Sequence, residues 1–279
     1  MRAALHYTND LCPFAHRAMF ARALCQIESQ TVHVPYKRQV EFAERWGTTW
    51  PHTALGSEML KQRANAVYPG LDYQALKTRK DDYVANINPS GEVPTLVLPN
   101  GAILAESEIV MEYFALVASN AVALLPTDPE LVCRMRLAIK RFNDVTAQLF
   151  RLMTNQHPAQ DVEIESAIHK NLHRFISVID PKGFCIGGKV SLADVHCCPI
   201  LHRLDVGLSY WRHFSVRANP RIADLLDTVT ALPEFKSGLV SNEEIIANYE
   251  FAAHMQKWGA DGMSFGGRGQ SQKKGESKM

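Results

Sequence analysis

Apolar residues recur at two different periods along this chain, and the change of period divides it. Near the start, Ala3-Ala4-Leu5-His6-Tyr7-Thr8 reads as a short buried strand that runs into the turn-forming Asn9-Asp10. From Pro13 the period becomes helical. Phe14, Ala18, Ala21 and Cys25 line one face, and Phe20, Leu24 and Ile27 spread apolar surface around most of the circumference, which predicts a buried helix. Thr31-Val32-His33-Val34 predicts a second strand. Val93 to Leu98 and Ala102 to Leu104 predict two more, joined by Pro99-Asn100-Gly101, where Asn-Gly between apolar runs signals a hairpin. Glu106-Ser107-Glu108 then opens a helix through Ile109, Val110, Tyr113, Phe114 and Val117, with Ser107 as its expected cap.

After Leu124-Leu125-Pro126-Thr127-Asp128-Pro129 the strand patterns stop. Met135, Ile139, Phe142, Leu149 and Leu152 share one helical face, and Ile164, Ile168, Leu172, Phe175, Ile176 and Ile179 share another. Both stripes are expected to be core. Ser191-Leu192-Ala193-Asp194 has the spacing of a helix-starting capping box, with a folding role. The predicted organisation is an α/β unit over residues 1–119, carrying an insertion at about 37–79, and an all-helical unit over 130–260. The Gly-, Ser- and Lys-rich residues 261–279 form an expected disordered tail.

Composition narrows the picture. With 46% hydrophobic and 21% charged residues the chain can bury a substantial core. Its 30 Lys and Arg against 29 Asp and Glu leave no global field to gather phosphates, so nucleic acid is not an expected partner. The N-terminus lacks a signal-peptide pattern, and no apolar run reaches the roughly 18 residues of a membrane-spanning helix. A cytoplasmic location and no membrane partner are expected. The six cysteines, Cys12, Cys25, Cys133, Cys185, Cys197 and Cys198, are scattered in apolar stretches, which argues against a disulfide framework. No second Cys-x-x-Cys pair accompanies Cys197 and Cys198, so no metal is expected.

The sharpest chemical feature is Cys12, placed between a strand end and a helix starting at Pro13. Unpaired backbone N–H groups and the positive end of the helix dipole converge there and favour thiolate over thiol, so a nucleophilic cysteine is expected. A dithiol oxidoreductase would carry a second cysteine three residues on, but that position is Ala15. A mixed disulfide on Cys12 would then need an outside thiol for its resolution, such as glutathione. Cys25, further along the same helix, is expected to face the core.

These residues reach a known family. Cys12-Pro13-Phe14-Ala15-His16-Arg17, Asn88-Pro89-Ser90-Gly91-Glu92-Val93-Pro94, Glu106-Ser107 and Leu124-Leu125-Pro126-Thr127-Asp128-Pro129, in that order, resemble the cytosolic glutathione transferases, most closely the omega class. The Ser191 to Asp194 box is similar to theirs as well. The resemblance implies a thioredoxin-like, glutathione-binding N-terminal domain packed on an all-α C-terminal domain. It implies that Cys12 is the catalytic nucleophile and that Phe14 packs beside glutathione. Val93 would pair its backbone with the cysteinyl amide of glutathione, beside a cis peptide at Pro94. Glu106 and Ser107 would bind the ammonium and carboxylate of the γ-glutamyl end, and Lys80 the glycyl carboxylate. Arg17 is given a structural role, reaching nearby carbonyls or carboxylates.

The implied activity is glutathione-dependent thiol transfer: mixed-disulfide exchange, deglutathionylation or dehydroascorbate reduction on a small electrophilic or disulfide substrate. Glutathione or a related small thiol is the cosubstrate, and a homodimer is expected. Two other roles share the fold, a non-enzymatic docking module of the translation-factor type and a chloride intracellular channel-like protein. The segment between Tyr36 and Lys80 departs from the family. Its Trp46, Trp50-Pro51 and Tyr68-Pro69-Gly70 point to an ordered addition, read first as a helix packed on the core.

Overall fold

The computed structural model describes residues 3–37, 39–40, 44, 66–68, 72–119 and 123–254. Most of the expected insertion and the whole of the expected tail lie outside the described residues, Trp46 and Trp50 among them. The first strand, β1 (Leu5–Thr8), leads through a turn into α1 (Pro13–Leu24), then β2 (Gln30–His33). The next helix, α2 (Tyr73–Asn86), is capped by Asp72, whose Oδ1 accepts the Ala75 N–H at 2.6 Å. The sequence reading does not predict this helix, because only Leu76 and Tyr83 of its fourteen residues are buried. Strands β3 (Thr95–Val97) and β4 (Ile103–Ala105) form the expected hairpin, and α3 (Ser107–Val117) follows.

The four strands make one mixed sheet in the order β2-β1-β3-β4. β1 runs parallel to β2 and antiparallel to β3, with His6 opposite Thr31 on one side and Leu96 on the other, and β3 is antiparallel to β4. A parallel pair needs a crossover, and α1 supplies it. Phe20 and Ala21 of α1, Val110, Met111 and Phe114 of α3, and Leu96 of β3 are all buried in the core.

The rest is helical: α4 (Pro129–Thr154), α5 (Asp161–Ile176), α6 (Leu192–Arg212), α7 (Pro220–Thr230) and α8 (Asn242–Ala253), with 3₁₀ turns at Pro158–Gln160, Val216–Ala218 and Pro233–Gly238. This is a thioredoxin-like sheet unit joined to a helical C-terminal region. The stripes read from the sequence are core: Met135, Phe142, Leu149 and Leu152 on α4, and Ile164, Ile168, Leu172 and Phe175 on α5. α6 is buried on nearly every face and packs against α1, α4 and α8. Its start is the expected box. The Ser191 N–H and hydroxyl donate to Asp194 Oδ2 at 2.9 and 2.8 Å, and the Cys185 N–H donates to Oδ1 at 2.7 Å. No helix among the described residues is long and apolar enough to cross a membrane.

Candidate active site

Cys12 is the N-cap of α1, in extended backbone at φ −82°, and its Sγ accepts the Ala15 N–H at 3.4 Å. Pro13 at the first helical position withholds no bond, since that N–H would be unpaired anyway. The thiol in turn points to the Val93 carbonyl at 3.7 Å. The strand-cysteine-helix arrangement is therefore as expected, but the acidity is not. Cys12 is only 6% exposed, and burial raises its pKa above the ordinary value. The Ala15 N–H, the Tyr36 hydroxyl, the Phe14 N–H and the Arg203 charge all oppose that rise without overcoming it. The expectation of a resting thiolate is corrected: a helix N-terminus stabilises the anion by a local field, whereas losing water costs more. Cys25, at the other end of the helix, is buried as expected, and burial raises its pKa to about 11.

The loop facing Cys12 is built by its own sequence. The Asn88 carboxamide accepts the Ser90 N–H at 3.1 Å and donates to the Glu92 carbonyl at 3.0 Å and to Thr95 Oγ1 at 3.1 Å. Gly91 takes φ +70°, where a side chain would be strained and its Cβ would sit 3.3 Å from Val84. The Val93-Pro94 peptide is cis, and β3 begins only at Thr95, so the strand is shorter than its apolar run. Lys80 reaches this loop from α2: its Nζ donates to the Gly91 carbonyl and lies 5.6 Å from the Tyr83 ring. Burial lowers the Lys80 pKa to about 8, with Glu92 pulling the other way. Lys80 and Val93, 13 residues apart in the chain, are thus brought to one loop.

At the start of α3 the expected cap is displaced by one residue. Glu106 is the N-cap, exposed, with no side-chain cap bond, and holds φ +72° and ψ 128°, a sparsely populated conformation for a residue with a side chain. Ser107 follows as the first helical residue, 7% exposed, and its Oγ accepts from Arg17 Nη1 at 3.2 Å. Arg17 fills its structural role, donating from Nε to the His196 carbonyl at 2.7 Å. Its guanidinium also lies over the Phe14 ring, 5.0 Å from the centroid. Phe14 itself is half-buried and stacks on Phe150 of α4, with centroids 5.9 Å apart. Cys12, Phe14, Arg17 and Ser107 therefore converge from α1 and α3.

Two functional neighbours are invisible in the sequence. Arg203 of α6, 1% exposed, donates from Nη2 to the Asp10 carbonyl at 2.8 Å and from Nε to His16 Nδ1 at 3.3 Å. Asn248 of α8 donates to the Leu11 carbonyl at 3.4 Å. The helical region thus holds the two peptide carbonyls that precede Cys12. Tyr36, just past β2, supplies a hydroxyl to the sulfur. Among the described residues no group of three or more His, Cys, Asp or Glu is placed to hold a metal ion. Cys197 and Cys198 are wholly buried in the core instead.

Residues 11–116 match the family described as "Glutathione S-transferase, N-terminal domain". The maleylacetoacetate isomerase of Pseudomonas aeruginosa is 29% identical over 194 residues, 62% of this chain and 87% of that protein. Among solved structures, Leishmania TDR1, a trimeric glutathione transferase, superposes with a TM-score of 0.67 at 19% identity. The match covers 91% of this chain, which spans about half (49%) of TDR1. Glutathione transferase Omega 3C from Trametes versicolor superposes with a TM-score of 0.63 at 20% identity, over 89% of this chain and 91% of that one. At such identities the structural likeness is one of fold.

Proposed function

We propose, for a chain whose N-terminal residues carry the glutathione S-transferase N-terminal domain, that it is a glutathione-dependent thiol transferase with Cys12 as nucleophile. The observation that carries this reading is the position of Cys12 Sγ at the N-terminus of α1, bonded to the Ala15 N–H and facing the cis Val93-Pro94 peptide. Glutathione lies along that edge. Val93 pairs with its peptide, Lys80 takes the glycyl carboxylate, Glu106 and Ser107 take the γ-glutamyl end, and Phe14 lines one side.

The reaction is disulfide exchange in two steps. Cys12, a thiol at rest, gives its proton to water, and the resulting thiolate attacks a glutathione mixed disulfide at the glutathionyl sulfur. A Cys12–glutathione disulfide forms, and the former partner thiol leaves as its thiolate. A second glutathione, as thiolate, then attacks the Cys12–glutathione disulfide, releasing glutathione disulfide and restoring the Cys12 thiolate. Each step breaks one disulfide and forms one, so one mixed disulfide and one glutathione give the partner thiol and glutathione disulfide, and electrons balance without a cofactor. The amide of Ala15, the Tyr36 hydroxyl and the buried Arg203 stabilise the anion at each step.

A second reading is favoured by the raised pKa of Cys12 and by the likeness to the isomerase. In it the Cys12 thiol stays protonated and donates to a docked glutathione thiolate, which adds reversibly to an electrophile. Incubation with glutathione disulfide, followed by mass analysis, separates the two. A glutathione adduct on the Cys12 peptide, absent from Cys12→Ala and retained in Cys25→Ala, is expected. If no adduct forms and Cys12→Ser still catalyses glutathione addition or isomerisation, thiol transfer is excluded and the second reading stands.

A further inference from the structure

We infer that Arg17 is a positioning residue for ligand binding: it is the buried countercharge that makes the Ser107 hydroxyl a donor to a ligand carboxylate. The inference rests on the glutathione reading and deepens it at the γ-glutamyl end.

Three observations carry it. First, Arg17 is 2% exposed, and no carboxylate of the described residues forms an ion pair with its guanidinium. Glu108 compensates the charge only from a distance, without a direct ion pair, so burial remains costly and a docked anion relieves that cost. Second, Nη1 donates to Ser107 Oγ at 3.2 Å. That bond fills one lone pair of the hydroxyl and orients it, leaving its own O–H to donate outward at the first turn of the eleven-residue α3, where the helix dipole also favours an anion. Third, the arrangement is rigid. Arg17 Nε bonds the His196 carbonyl at 2.7 Å, and Nη2 lies 3.0 Å from His196 Nε2. His196 Nε2–H donates to Asn143 Oδ1 at 2.8 Å, so its contact with Arg17 Nη2 is a close approach and the Arg17 link to α6 is the bond to the His196 carbonyl. Asn143 Nδ2 donates to Glu108 Oε1 at 3.2 Å. Starting at Ser107, the network passes through α1, α6 and α4 and returns to α3 one residue further on. Four helices therefore fix the direction in which Ser107 presents its hydroxyl.

The test is binding of S-methylglutathione, and of its analogue with the γ-glutamyl α-carboxylate converted to an amide, by calorimetry. The proteins are wild type, Arg17→Lys, Ser107→Ala and the double variant. Lysine keeps the charge but cannot reach Ser107 and His196 together. Arg17→Lys is expected to weaken S-methylglutathione about tenfold and to change binding of the amide by less than about twofold. The double variant is expected to be no weaker than about twofold below Ser107→Ala, because both changes break one bond. His196→Asn, which keeps the backbone carbonyl bond to Arg17, is read the same way should Arg17→Lys fail to fold, with a loss of about threefold confined to the carboxylate ligand. Equal losses for acid and amide, or losses that multiply in the double variant, overturn the role of Arg17 and leave the glutathione reading intact. Absence of binding to the wild-type protein overturns both.

Discussion

At Cys12, two physical effects of opposite sign meet on one sulfur atom. The helix N-terminus, the Tyr36 hydroxyl and the Arg203 charge favour the anion, while burial to 6% exposure disfavours it and wins. In the ligand-free protein, alkylation of Cys12 by iodoacetamide should therefore rise with pH through a midpoint above the ordinary 9.0, followed by mass analysis of the Cys12 peptide. Tyr36→Phe removes one of the opposing donors and should move the midpoint higher still. A midpoint below 9.0 would mean that the local amides and Arg203 outweigh burial. The position of Cys12 was legible because a strand end, a proline at the first helical position and an apolar helix are all local features. Its acidity was not legible, because desolvation depends on Tyr36, Val93 and the rest of the packing around the thiol.

The elements show where a pattern of side chains suffices and where it does not. The box at Ser191 and Asp194 is both predicted and found, since its partners lie within three residues of one another. The start of α3 is predicted one residue late, because what ends the strand is the φ +72° of Glu106, and backbone dihedrals of that kind leave no mark on the apolar period. α2 is hidden for a different reason: a helix that buries two residues carries almost no hydrophobic periodicity. The crossing of α6 and α8 turns on Gly207. A Cβ there would stand 2.6 Å from Tyr249 Cδ2 and 2.9 Å from Met153 Cε. Gly207→Ala should accordingly lower stability by about 1–3 kcal/mol, measured by urea unfolding, although alanine is the better helix former. A gain in stability would show that Tyr249 and Met153 move aside without cost.

On the scale of the whole molecule, packing controls how the protein responds to acid. Burial lowers the pKa of His6 to about 3 and of His202 to about 4, against an ordinary 6.5. Both rings are neutral in the folded protein at pH 5, whereas the unfolded chain protonates them below about 6.5. Their neutral burial is therefore without penalty above pH 6.5, and stability is lost as pH falls below it. Each ring should remove about 2 kcal/mol between pH 7 and pH 5. The urea midpoint should drop over that interval, and because burial also lowers the pKa values of His16 and His196, His202→Gln should remove about a quarter of the drop. A midpoint indifferent to pH would show that these rings take up protons in the folded state.

By itself the amino-acid sequence determined the order of the four strands, α1 and α3, the two core stripes of the helical region, the hairpin at Asn100-Gly101 and the place of Cys12, because each depends on neighbours a few residues away. Only the tertiary structure decided what surrounds the sulfur. Arg203 meets the Asp10 carbonyl across 193 residues of chain, Asn248 meets Leu11 across 237, and Arg17 reaches Ser107 across 90. No local period encodes such meetings. They follow from burying several apolar faces against one another, and the polar groups carried inside by that burial then find the partners that burial leaves them.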